Sequence, residues 1–65
     1  MTGQGLPLTP GCIVVIAAFD EVPEHSFRVE EVFEDCVTGT ALTGPLAGEY
    51  GEPDIELVLR VLSTE

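Results

Sequence analysis

The sequence predicts an all-β fold, a small barrel of four to five short antiparallel strands. Apolar residues fall in four short segments, and these are rich in Val, Ile, Phe and Thr, which suit a pleated, half-buried surface. Clusters of Gly, Pro and acidic residues separate them, as turns require. At 65 residues the chain is one domain able to bury roughly 60% of its unfolded surface, so there is room for a single small core. Short strands around one core curl into a barrel because closure hides the edges that an open sheet exposes.

Met1 to Gly11 holds three Gly and two Pro and reads as a flexible N-terminal arm, ending in a turn at Thr9, Pro10 and Gly11. The barrel domain spans residues 12–62. Its first segment, "CIVVIAAF" from Cys12 to Phe19, is continuous and β-branched, which fits a strand buried on both faces at the centre of the sheet. Asp20 to His25, "DEVPEH", breaks the apolar pattern with a Pro and three carboxylates and reads as a loop.

The next piece, "SFRVEEVFEDCV", fits two readings. Val29, Val32, Phe33 and Cys36 follow i, i+3, i+4, i+7, a helical face with Glu30, Glu31, Glu34 and Asp35 outside it and Pro23 near a start. As a hairpin, Phe27 and Val29 lie on one strand half and Val32 and Phe33 on another, the register shifting at Glu30 and Glu31 as a β-bulge shifts it. The strand reading is preferred. Val, Phe and Thr dominate "SFRVEEVF" and "CVTGTALT", Glu34 and Asp35 sit where a tight turn belongs, and a helix would leave a weak two-stranded sheet. In "IELVLRVL", Ile55 to Leu62, the residues Ile55, Leu57, Leu59 and Val61 share one face at period two, which is a strand. Ser63, Thr64 and Glu65 form a short tail.

Charge narrows the partners. Twelve Asp and Glu stand against Arg28 and Arg60, with no Lys, for a formal net charge of -10. Such a surface repels phosphate backbones and anionic lipid and speeds encounter with basic proteins, so the expected partner is a basic protein or larger complex, without direct nucleic-acid contact. With 45% hydrophobic residues the chain is too apolar for a disordered acidic tail. Cys12 and Cys36, with His25 alone, make no zinc ligand set, and no cofactor or metal is expected. A disulfide is open to the two thiols if their segments pair, but the lack of a positive n-region at the start favours a reduced, cytoplasmic pair. The apolar run from Cys12 to Phe19 is too short for membrane insertion.

The order turn, strand, acidic loop, paired strands, long loop, strand resembles that of the small SH3-like barrels, among them small cyanobacterial and chloroplast accessory proteins. "LTPGCIVVI" resembles the "pG..V.V" opening strand of that group, and "FRVEEVFEDCVTGTAL" resembles its central hairpin. The likeness covers most of residues 8 to 62 and implies a non-catalytic adaptor role. It does not imply proline-rich ligands, since that groove needs several clustered aromatics and this chain offers Phe19, Phe27, Phe33 and Tyr50 without Trp.

Catalytic chemistry finds little support. Gly39, Gly44, Gly48 and Gly51 invite a phosphate loop, yet Glu49, Glu52 and Asp54 lie among them and no Gly-Lys-Ser/Thr follows. His25 and Ser26 are adjacent, so in a strand they point to opposite faces and cannot form a dyad. Close carboxylate pairs arise by chance in so acidic a chain, and no Asp-x-Asp/Asn-x-Asp/Asn-Gly calcium pattern occurs.

Two features remain as candidate partner-binding sites. Glu30, Glu31, Glu34 and Asp35 form the densest acid cluster, either a solvated hairpin end or a docking patch for a Lys- or Arg-rich protein. Thr43 to Asp54, "TGPLAGEYGEPD", is longer than the usual connection of about four to six residues and carries the single Tyr. It offers Leu46, Glu49, Tyr50 and Glu52 as a contact surface, or else Leu46 and Tyr50 fold back to cap the barrel. The expected function is a non-catalytic accessory subunit that docks a basic protein. The alternative is an inhibitor that mimics nucleic acid, which needs its carboxylates on one continuous face.

Overall fold

The turn at Thr9, Pro10 and Gly11 launches the first strand. Gly11 takes a φ of +93°, where glycine has no steric penalty, and Cys12 N donates to the Thr9 carbonyl at 3.1 Å. The computed structural model describes residues 8–63, so the expectations for the arm before Leu8 and for the tail after Ser63 lie outside the described residues. Leu8 packs against the core, and Gly11 N donates to the Val29 carbonyl at 2.7 Å.

Five strands follow: β1 (Ile13–Ile16), β2 (His25–Val32), β3 (Val37–Ala41), β4 (Tyr50–Gly51) and β5 (Val58–Ser63), with a 3-10 turn at Ile55–Leu57. Neighbours are all antiparallel in one open sheet of order β4-β3-β2-β1-β5, so the fold is all-β as the sequence predicts and consistent with a small SH3-like barrel. The 3-10 turn ties the two sides of the sheet together. Ile55 N donates to the Asp35 carbonyl at 3.0 Å beyond β2, and Ala17 N, just past β1, donates to the Leu57 carbonyl at 2.8 Å.

Val14, Val15 and Ile16 are all buried, so β1 is covered on both faces as expected. It lies inside the sheet between β2 and β5, while β2 takes the centre. The strand is shorter than the apolar run. Phe19 and Val22 exchange hydrogen bonds of 2.9 and 2.7 Å around Asp20 and Glu21, with Asp20 at a φ of +49°. The expected loop therefore contains a tight turn, and His25 belongs to β2.

Between Phe27 and Cys36 the chain is strand and turn, not helix, and β3 follows directly at Val37. Phe33 N donates to the Cys36 carbonyl at 2.8 Å, leaving Glu34 and Asp35 at the tip. The register runs Val29↔Gly39 and then Glu31↔Thr38, so Glu30 is the extra residue of a bulge. A regular strand would have put Val32 on the wrong face. The bulge returns it toward the core that Val14, Ile16, Phe27, Val29, Val37 and Ala41 form.

The last strand corrects two expectations. Ile55 to Leu57 is a 3-10 turn, and β5 carries two register irregularities against β1, between Ile13/Val14 and Val15/Ile16. Inward residues therefore recur at Val58 and Val61, and Leu59 and Leu62 are turned out to solvent at 50% and 47% exposure. Period two holds only while the ladder is regular.

Candidate functional site

The stretch Thr43 to Asp54 is no single long loop. Pro45 sits at the second position of a turn in which Ala47 N donates to the Gly44 carbonyl at 3.1 Å, where its fixed φ is an advantage. Glu49 N donates to the Leu46 carbonyl at 2.8 Å, and Gly48, at a φ of +86°, occupies the position where a type II turn asks for glycine. Gly48 N and Glu49 O then rejoin Ala41, and Ser26 N is held by the Thr43 hydroxyl at 3.0 Å. The turns deliver Tyr50 and Gly51 into β4, paired with Thr40 and Gly39.

That pairing sorts the side chains between two faces. Directly opposed residues share a face, so Tyr50 lies with Thr40, and Gly51 lies with Gly39, Val29 and the inner side. Thr40 donates to Glu30 Oε2 at 3.5 Å, which puts Glu30 on the outer face too. Glu31 opposes Thr38 and joins them. The bulge thus sets two consecutive carboxylates on one face, which a regular strand cannot do. Tyr50 completes the group by donating its hydroxyl hydrogen to Glu52 Oε2 at 3.0 Å. The Glu52 hydrogen bond, then partial desolvation, push the phenol above its ordinary range, with Glu30 adding to the rise and the Thr38 hydroxyl opposing it.

Two expected clusters therefore meet. Glu30 and Glu31 from the hairpin and Tyr50 and Glu52 from the connection lie on one outer face, which Arg28, opposite Thr40, shares, with Tyr50 61% exposed on the edge strand. Asp35 lies at the end of that face, where partial burial first, and then the carboxylates of Asp35, Glu52 and Asp54, raise the Cys36 thiol above its usual value. Glu34 stays at the turn tip, and no described contact joins it to Tyr50. Both cysteines are free thiols.

Leu46 and Glu49 face another way. They belong to a cavity of about 260 Å³ on the inner side of β4, walled by Phe19, His25, Phe27 and Pro53, with Tyr50 and Glu52 also lining it. Leu46 and Tyr50 both line this cavity, Leu46 at 37% exposure being the more covered of the two. Three of the four aromatic side chains thus reach one cavity, counting Tyr50. Phe33, the fourth, is exposed on the hairpin. His25, Phe27 and Pro53 were missed as site residues. In the sequence Phe27 and Pro53 show only apolar character, Phe27 reading equally well as pure core, and His25 shows only as a rejected zinc ligand and dyad partner. His25 and Ser26 form no dyad, since His25 Nδ1 donates to the Pro23 carbonyl at 2.8 Å and Ser26 N is bonded to Thr43.

Among the described residues no cluster of three or more His, Cys, Asp and Glu could hold a metal ion, and no helix is long and apolar enough to cross a membrane. Comparison with known proteins finds no matching family model, no matching curated protein and no matching solved structure.

Proposed function

We propose that this protein is a non-catalytic, acidic interaction subunit that docks a basic protein partner. The observation that supports it most is the meeting of Glu30 and Glu31 with Tyr50 and Glu52 on one exposed face. Carboxylates around an exposed aromatic suit Lys and Arg side chains, which combine charge with an apolar stem. Glu34 and Asp35 extend the field and steer encounter, and Leu46 and Glu49 serve the cavity on the other side of β4. Cytoplasmic residence is part of the same proposal.

Nucleic-acid mimicry is the less favoured reading. Asp20, Glu21 and Glu24 lie on the β1–β2 connection, at the opposite end of the eight-residue β2 from Glu34 and Asp35. A local patch fits that distribution better than a continuous charged ribbon. Capture from native extract tests both readings. Glu30→Gln/Glu31→Gln and Tyr50→Ala should each weaken recovery of a basic protein about five- to tenfold at low salt, with wild-type recovery also falling at high salt. Recovery that ignores salt and all three changes would overturn the docking reading, and release of the partner by competing DNA or RNA would favour mimicry.

A further inference from the structure

The cavity inside β4 carries a ligand argument of its own. At about 260 Å³ it lies below the roughly 300–1,000 Å³ that small-molecule sites take, which suits one long side chain rather than a cofactor. Phe19, Phe27, Leu46 and Pro53 give it apolar walls. Gly51 keeps it open, since a Cβ there would stand 3.8 Å from the Phe27 ring and 4.0 Å from Pro53.

One wall is polar. His25 is only 6% exposed, its Nδ1 is engaged by the Pro23 carbonyl, and its Nε2 has no hydrogen-bond partner among the described residues. A carbonyl can only accept, so Nδ1 carries the proton, and in that tautomer Nε2 presents a lone pair. A buried acceptor without a donor is unfavourable, so the wall asks for an N–H or O–H from a ligand. Glu49 and Glu52 also line the cavity and ask for positive charge.

We propose that this cavity receives the side chain of an arginine presented by the basic partner. The proposal rests on the docking reading above and names the chemistry of its anchor. A guanidinium is planar and weakly hydrated, stacks on aromatic rings, and divides its N–H donors among several acceptors, here His25 Nε2 and these carboxylates. Its methylene stem matches Leu46 and Pro53. A lysine ammonium is compact, more strongly hydrated and unable to stack. The net charge of -10 adds attraction at long range.

The test is an NMR titration of the isotope-labelled full chain with blocked Gly-Xaa-Gly peptides, Xaa being arginine, lysine, citrulline or norleucine. The arginine peptide should saturably shift the resonances of His25, Phe27, Ala41 and Gly51. Citrulline, of nearly the same shape without the charge, and norleucine should bind at least about tenfold more weakly. Gly51→Leu, which fills the cavity, should abolish the shifts. Gly51→Ala, at a backbone position any residue adopts, should weaken them and serves if the larger change unfolds the protein. Equal binding of lysine or norleucine, or arginine binding indifferent to Gly51→Ala, overturns the proposal. Glu30→Gln/Glu31→Gln separates the two ideas, because it alters only the outer face. If it weakens partner capture while no arginine peptide reaches the cavity, the cavity proposal falls and the docking reading stands. If arginine binds in the cavity while capture ignores both salt and Glu30→Gln/Glu31→Gln, the docking face falls instead.

Discussion

Tyr50 donates its phenolic hydrogen to the Glu52 carboxylate at 3.0 Å, two residues further along the same sheet edge. The bond favours the protonated phenol and raises its titration above the ordinary tyrosine range. Glu52→Gln should bring it back down, read as tyrosinate ultraviolet absorbance across alkaline pH. The folded value is raised above the unfolded one. The contribution to stability is therefore fully present below the ordinary value of about 10 and is lost as pH rises through the raised value. Denaturant midpoints of wild type and Glu52→Gln should differ at neutral pH and converge at strongly alkaline pH.

Cys36 should be a slow nucleophile. Partial burial and the carboxylates of Asp35, Glu52 and Asp54 keep its thiol protonated further into the alkaline range, and the thiolate is the reactive form. Alkylation by iodoacetamide near neutral pH should run slower than for an unstructured cysteine and accelerate in Asp35→Asn and Asp54→Asn. Cys12, fully buried, should react only on unfolding. A Cys36 that outpaces free cysteine would contradict the electrostatic account.

Gly39 and Gly51 face each other across β3 and β4, yet substitution should act in opposite directions. A Cβ on Gly39 would collide with the Arg28 carbonyl oxygen and press the Phe27 ring, where the bulged strand comes close. Gly39→Ala should cost about 2–3 kcal/mol, an overpacking penalty, and lower the melting temperature by on the order of 10 °C. Gly51→Ala meets only ordinary contacts at an unstrained φ and should stabilise by about 0.5 kcal/mol through the unfolded chain. Thermal melts of the two variants side by side check the signs.

Phe27 is the largest fully buried side chain and also lies beneath the cavity. Phe27→Ala should cost about 3–5 kcal/mol, comparable with the whole stability of so small a domain, and leave it largely unfolded at room temperature by circular dichroism. Phe27→Leu should fold with a smaller loss, allowing the arginine peptide to be titrated without the ring.

Some of this architecture was legible in the residues themselves. The β-branched run within Cys12 to Phe19 pointed to an internal strand buried on both faces, and the phase shift between Val29 and Val32 fitted a bulge at Glu30 and Glu31, beside the helical reading that the structure excludes. The stretch Thr43 to Asp54 reads in the sequence as one long connection because β4 is only Tyr50–Gly51, too short for alternation to register. In β5 the expected face failed at Leu59, since two irregularities in the ladder turn period two into a spacing of three.

What the sequence by itself determined is the class of fold, the strongly negative surface and the residue types available to a partner. Those follow from local propensity and composition, which need no contact between distant segments. Only the tertiary structure decided which residues act together. Pairing of β3 with both β2 and β4 carried Glu30 and Glu31 to Tyr50 and Glu52, and it set Tyr50 opposite Thr40 on the outer face and Gly51 opposite Gly39 on the inner one. The physical reason is strand register, a non-local quantity: one extra residue at Glu30 changes which face each later side chain takes.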